Sequence, residues 1–150
     1  MKTLVLGLGN TILSDDGAGI HVALNIKKKC EQVDVLEASA AGFRVVDEII
    51  GYKKLILIDS IKTGKKEPGT LHRFDFDEFN KTIHHTSPHD ISLFEAFEIV
   101  KQQNYDLPED ITIYAVEVDD TETLSEQCTD KVQKAIKGIS ELIIKENNLC

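Results

Sequence analysis

The 150-residue chain has no tryptophan, one methionine, three prolines and three cysteines, and aromatic residues make up only 6% of it. It also lacks any run near the ~20 apolar residues that a membrane-spanning helix requires. Its first apolar stretch, Leu4–Leu8, is interrupted by Gly7 and followed by Gly9 and Asn10. That is too short for the hydrophobic region of a signal peptide, so a cytoplasmic location without a membrane partner is expected. Cys30, Cys128 and Cys150 are odd in number, far apart and form no C-x-x-C pair. They suit a reducing compartment and predict neither a disulfide framework nor a zinc clip.

Positive charge is scarce as well. Seventeen basic against twenty-six acidic side chains give a formal charge of −9. Neutralising phosphates supplies most nucleic-acid affinity, so such a chain is not expected to bind DNA or RNA. Lys62, Lys65 and Lys66 lie together in a Gly/Pro-punctuated segment, which reads as a solvated connection.

What remains is ordinary for a globular protein, with 41% apolar and 29% charged residues, and the length suits one domain over 1–150. Short β-branched runs alternate with longer segments of helical period, the pattern of βαβ units. Strands are expected at Thr3–Leu8, Val33–Leu36, Leu55–Ile58 (stopping at Asp59), Thr70–Phe74 at an edge, and Ile111–Val118. Helices are expected at Asp15–Lys28 with Ile20, Ala23 and Leu24 inward, and at Gly42–Ile50, ending near Gly51. Two more are expected at Asp90–Lys101, with Ile91, Phe94, Phe97 and Ile99 available to the core, and at Ser125–Lys145, with Ser125 as its N-cap. Five strands and four helices make a three-layer α/β sandwich.

In such sheets ligands bind outside the carboxyl ends of the strands. Polar residues following predicted strands include Asn10, Asp15, Asp16, Glu37, Ser39, Asp59, Ser60, Asp119 and Asp120, and His84, His85 and His89 precede a helix. Asp16, Asp59 and His89 could together supply two oxygens and one nitrogen to a divalent ion, leaving positions for water or substrate. That donor set suits nickel or zinc better than calcium or magnesium. His85 is a reserve ligand. One of Asp15 and Asp16 is expected to cap the first helix, and Glu117 is expected to be a half-exposed partner for a lysine. No cysteine has a histidine nearby in the predicted layout, so a Cys–His nucleophile is not expected.

Taken together, Gly7-x-Gly9-Asn10, Asp15-Asp16-Gly17-x-Gly19, Glu37-Ala38-Ser39-Ala40-Ala41-Gly42, Asp59-Ser60, Pro68-Gly69-Thr70 and Ser87-Pro88-His89 resemble the hydrogenase maturation proteases, in their order. The resemblance implies a twisted five-stranded, mostly parallel sheet between helices. It implies an endopeptidase, sometimes labelled aspartic-type, that cuts a C-terminal tail from the large-subunit precursor of a nickel–iron hydrogenase after nickel insertion. The family's three metal-contacting positions match Asp16, Asp59 and His89, and Gly9, Asn10, Glu37 and Gly42 fall in substrate-facing loops. Relatives have Asp-Gly-Gly-Thr-x-Gly where this chain has Glu37–Gly42, so the loop is less free to adopt positive φ. Nickel is expected to arrive with the precursor, with zinc as another ion the same donors accept.

Three other readings compete. A dinucleotide-binding domain wants a third glycine where Ile12 stands. A peptidyl-tRNA hydrolase shares Gly-x-Gly-Asn but continues with proline, where this chain has Thr11. A nickel carrier would use the same three residues without cutting. A monomer is expected.

Overall fold

Residues 2–39, 43–86 and 91–150 are described by a computed structural model. The chain alternates strand and helix from the start: β1 Thr3–Leu8, a 3-10 turn at Ser14–Gly17, α1 Ala18–Lys29, β2 Asp34–Ala38, α2 Phe43–Ile49 and β3 Lys54–Ile61. Then come β4 Leu71–Phe74, α3 Phe76–Thr86, α4 Ile91–Lys101, β5 Asp110–Glu117 and α5 Asp130–Asn147. The strands form one five-stranded sheet in the order β2-β1-β3-β5-β4. All neighbours are parallel except β4, which runs antiparallel along β5 with Leu71 opposite Val116.

Each sheet face carries its own core, because alternate strand residues point to opposite sides. On one face Val5, Ile56, Ile58, Tyr114 and Val116 pack with Val22 and Ile26 of α1 and with Val132, Ile136, Ile139 and Ile143 of α5. On the other, Leu4, Leu6, Leu57 and Ile113 pack with Val46 and Ile49 of α2, Phe79 of α3, and Phe94 and Phe97 of α4. Burying an apolar side chain of this size contributes roughly 1.5–3 kcal/mol, so the continuous apolar runs of β1 and β3 are stabilised from both sides. This is the expected three-layer sandwich.

Several expectations need correction. The β3 strand does not stop at Asp59 but continues to Ile61, which pairs with Glu117. The segment Phe76–Thr86, for which the sequence pattern predicts no element, is a helix. It is opened by a reciprocal pair: the Glu78 N–H donates to the Asp75 carboxylate, and the Asp75 N–H donates to the Glu78 carboxylate. Leu24 and Ile99, assigned inward, are 42% and 48% exposed. The last helix begins at Asp130 with Thr129 as N-cap, because Ser125 is engaged in a backbone bridge to Leu13. Cys128 therefore precedes that helix. Cys30 and Cys150 form a disulfide, against the expectation of free thiols. After α5, Asn148 turns left-handed (φ 50°) and brings the chain end to the C-terminus of α1.

Candidate active site

Strand order decides where the crevice lies. From β1 the chain crosses on one face through α1 to β2, then returns on the other face through α2 to β3. The loops leaving the carboxyl ends of β1 and β3 therefore diverge, the place where open α/β sheets bind ligands. Asp16 follows β1 at this point, and Asp59 lies near the carboxyl end of β3.

The turn carrying Asp16 is closed on itself. The Asn10 N–H donates to Asp16 Oδ2 at 2.9 Å, the Leu13 N–H to the Asn10 carbonyl at 3.1 Å, and the Asp16 N–H to the Leu13 carbonyl at 3.1 Å. The Asn10 side chain accepts the Ile12 N–H at 3.1 Å. Gly9 permits the turn: its φ is +147°, and a Cβ there would lie 2.1 Å from the Asp16 carbonyl oxygen. Gly19 does the same between α1 and β3, where a Cβ would lie 2.4 Å from the Ile58 carbonyl oxygen and 2.9 Å from the Asp59 Cα. These two glycines let the Asp16 turn and the Asp59 strand approach each other.

Asp16 is buried, and Asp59 is fully buried with Oδ1 accepting the Ser60 N–H at 2.8 Å. By strand alternation Asp59 shares the sheet face of Leu57 and Ile61, the side covered by α2, α3 and α4. Among the described residues no three of His, Cys, Asp and Glu are grouped to hold a metal ion. His89 and Gly42 lie outside the described residues. His84 and His85 are in the last turn of α3. Glu37 is exposed and belongs to β2 rather than to the loop after it.

The acid beside Asp16 has another task. Asp15 is fully buried, and its carboxylate accepts the backbone N–H groups of Asp119, Asp120 and Thr129 at 3.0, 3.1 and 2.7 Å. Contrary to expectation, neither acid caps α1, whose N-cap Gly17 has no side-chain bond.

Glu117 also departs from expectation, being buried rather than half-exposed. Glu117 is 1% exposed, and among the described residues its hydrogen-bond partners are Thr63, Gly64 and His72 rather than a lysine. It accepts the Thr63 N–H at 2.9 Å, the Thr63 hydroxyl and the Gly64 N–H at 3.3 Å, and its Oε1 lies 3.0 Å from His72 Nε2. Burial pushes its pKa up, but the bonds from Thr63, His72 and Gly64 outweigh that and hold it below the ordinary range. This group fastens the segment after β3, whose Lys62, Lys65 and Lys66 are exposed as expected.

Residues 20–146 match the family described as HycI, hydrogenase maturation protease. The chain belongs to that family. The hydrogenase 2 maturation protease of Escherichia coli is 26% identical over 123 residues, covering 77% of this chain and 73% of that protein. The delta subunit of the coenzyme F420 hydrogenase of Methanothermobacter thermautotrophicus is 28% identical, covering 97% of this chain and 94% of its own. The hydrogenase maturating endopeptidase HybD of Escherichia coli has the same fold, with a TM-score of 0.82 at 24% identity over 98% of this chain and 94% of that one. The maturation proteases are peptidases, and the dinucleotide-binding and peptidyl-tRNA hydrolase readings fall away. The family match begins after Asp16 and includes Asp59 and His89.

Proposed function

We propose that this hydrogenase maturation protease removes a C-terminal peptide from the nickel-loaded large-subunit precursor of a nickel–iron hydrogenase. Asp16, Asp59 and His89 contact the nickel that the precursor carries, and the enzyme works in the cytoplasm. The observation that carries this reading is the pair of buried carboxylates, Asp16 and Asp59, at the one crevice the sheet topology provides. Burying carboxylates is costly in water-excluded surroundings, so retaining two acids there argues for a task in charge recognition or proton transfer.

Two carboxylates and an imidazole suit nickel or zinc, yet three protein ligands leave a shell incomplete. That suits an ion arriving with ligands of its own, so that cutting waits for metal loading. One of the crevice carboxylates then serves as general base for the attacking water. The water oxygen adds to the scissile carbonyl carbon, the C–N bond breaks and the proton passes to the leaving amine. Gly9 and Asn10 hold the Asp16 turn, and Glu37 and Gly42 border the path of the substrate. Cys128 is no rival nucleophile: burial, followed by the nearby Asp15, pushes its thiol up to about 11.

The test is to incubate the protein with purified nickel-loaded and nickel-free precursor and follow loss of the tail by mass spectrometry. Cleavage of the loaded form alone is expected. Equal cleavage of both removes nickel recognition from the reading. Stoichiometric nickel binding with both precursors uncut makes the chain a carrier.

A further inference from the structure

Asp59 shares its face of the sheet with a second buried acid. In the strand register Asp59 lies opposite Ala115 of β5, which in turn lies opposite His72 of β4. Residues matched in this way point to the same side, so Asp59 and His72 flank the small Ala115 on one row. Glu117 is the next β5 residue on that face and lies opposite Ile61. Strand spacing and rise put its Cα about 8 Å from that of Asp59.

Strand order explains why Glu117 meets the chain twice. The connection from β3 to β4 must cross the carboxyl end of β5, because β5 lies between those strands. Glu117 holds this connection at both ends. Its carboxylate accepts the Thr63 and Gly64 N–H groups at 2.9 and 3.3 Å, just after β3. Its carbonyl accepts the Gly69 N–H at 2.7 Å, and its own N–H donates to the Thr70 carbonyl at 2.8 Å, just before β4. His72 Nε2, 3.0 Å from Oε1, braces the carboxylate from the β4 side. Closing a surface loop needs no buried charge. Burying one is costly unless its acceptor sites are filled, and a filled network fixes one geometry.

The loop held in this way borders the crevice. It leaves β3 two residues beyond Asp59. Hydrogen bonds from Thr123 and Glu122 hold the Asp120 pKa down to about 2, and the nearby Lys62 ammonium adds to this. The Asp120 N–H donates to Asp15, the neighbour of Asp16. The loop after β3 therefore runs past the connection that Asp15 ties to the Asp16 turn.

We propose that Glu117, braced by His72, is a positioning residue of the peptidase: it fixes the loop 62–69 and thereby the place of the precursor chain over Asp59. The inference rests on the protease reading above and adds to it a residue that sets substrate placement. Glu117 acts through Thr63 and Gly64, not on the scissile bond. Loss of its charge loosens the loop while Asp16 and Asp59 stay unaltered, so binding weakens in the ground and transition states alike. That raises KM and leaves kcat nearly unchanged.

The test compares steady-state cleavage of purified nickel-loaded precursor by four full-length proteins, each assayed well below its melting temperature. These are the wild type, Glu117→Gln, His72→Phe and Cys150→Ser. Cys150→Ser removes the disulfide at the opposite end of α1 from the Asp16 turn. Glu117→Gln is expected to raise KM about tenfold, with kcat within about twofold of wild type. His72→Phe keeps a ring against Phe74 but loses the bond to Glu117, and is expected to raise KM about threefold. Cys150→Ser is expected to keep both wild-type constants, because destabilisation elsewhere moves neither in the folded enzyme.

Wild-type KM in Glu117→Gln overturns the proposal. So does a fall in kcat at constant KM, which puts the residue in the chemical step, and so does an equal rise of KM in Cys150→Ser. If Glu117→Gln does not fold, His72→Phe decides, wild-type KM again overturning the proposal. The Kd of the precursor for each protein is measured in parallel by interferometry. Tenfold weaker binding by Glu117→Gln, with the precursor left uncut by wild type, keeps the positioning role and removes the protease reading. Equal Kd values, or no binding, with the precursor uncut remove both.

Discussion

Asp15 and Thr129, 114 residues apart, meet through one carboxylate: the Thr129 N–H donates to Oδ1 at 2.7 Å, and its hydroxyl lies 2.8 Å from Oδ2. The side chain that would ordinarily cap α5 is thereby turned onto Asp15, and α5 has no side-chain cap bond. The bonds from Asp119 and Asp120 complete the cluster. Two adjacent acids thus divide the work, Asp15 joining the β5–α5 connection to the turn after β1 and Asp16 closing that turn through the Asn10 N–H.

Removing the Asp15 carboxylate leaves those partly buried N–H groups without their acceptor. A hydrogen bond to a charged group contributes about 1.5–3 kcal/mol, and an orphaned buried donor costs a similar amount. Asp15→Ala is therefore expected to lower unfolding stability by about 3 kcal/mol, read from urea denaturation. A change under about 0.5 kcal/mol would show that water replaces the carboxylate at no cost.

Asp16→Asn and Asp59→Asn should behave in the opposite way. Both replacements keep the side-chain size, and an asparagine oxygen at position 59 can still accept the Ser60 N–H. Stability is expected to stay within about 1 kcal/mol of wild type, because a buried negative charge is also removed. Precursor cleavage should fall by about 100-fold or more, the scale of general-base catalysis. A loss of stability matching Asp15→Ala, with cleavage falling only in proportion to unfolded protein, would assign these acids to structure.

Much of this arrangement was legible in the residues. The runs at Leu4–Leu8 and Leu55–Ile58 are apolar without a break apart from Gly7, which marks strands covered on both faces. Asp16 and Asp59 could be named because each stands near a predicted strand end. Their approach depends on β1 lying next to β3, which no local pattern encodes. The helix at Phe76–Thr86 did carry a signal, the Asp75-x-x-Glu78 pair that caps its start. Parity would have exposed Glu117: Thr112 and Tyr114 share one face of β5, whereas Glu117 falls on the other with Ile113 and Ala115. The partner of Cys30 was hidden because it lies 120 residues away and is delivered by the packing of α5 on α1.

That disulfide leads to a prediction about the chain end. It closes a loop with a sequence separation of 120 residues, and cross-links of this span typically stabilise by about 2–4 kcal/mol through restriction of the unfolded chain. Cys150→Ser, or reductant on the wild type, should lower the urea midpoint by an equivalent amount. Reductant should have no further effect on Cys150→Ser, whose remaining pair, Cys30 and the buried Cys128, is not bonded. A wild-type midpoint unchanged by reductant would show that the pair adds nothing to stability.

The last prediction concerns acid. Glu117 has a folded pKa below its ordinary 4.5, since its hydrogen bonds outweigh the opposing effect of burial. A carboxyl whose pKa is depressed by folding adds stability that is fully present above the unfolded value, and the contribution is lost as pH falls through the folded value. Wild-type stability from this source should therefore be constant near neutrality and decline below pH 4.5. Glu117→Gln removes the charge, and its amide turns donor hydrogens toward groups that already donate. It should be less stable than wild type by about 1–2 kcal/mol at about pH 7, with the gap closing as pH falls through the folded value and wild-type Glu117 protonates. Urea midpoints of both proteins across that range check it. A constant gap would assign the cost to packing, and no gap at neutral pH would mean that the Thr63–Gly64 turn holds its position without the charge.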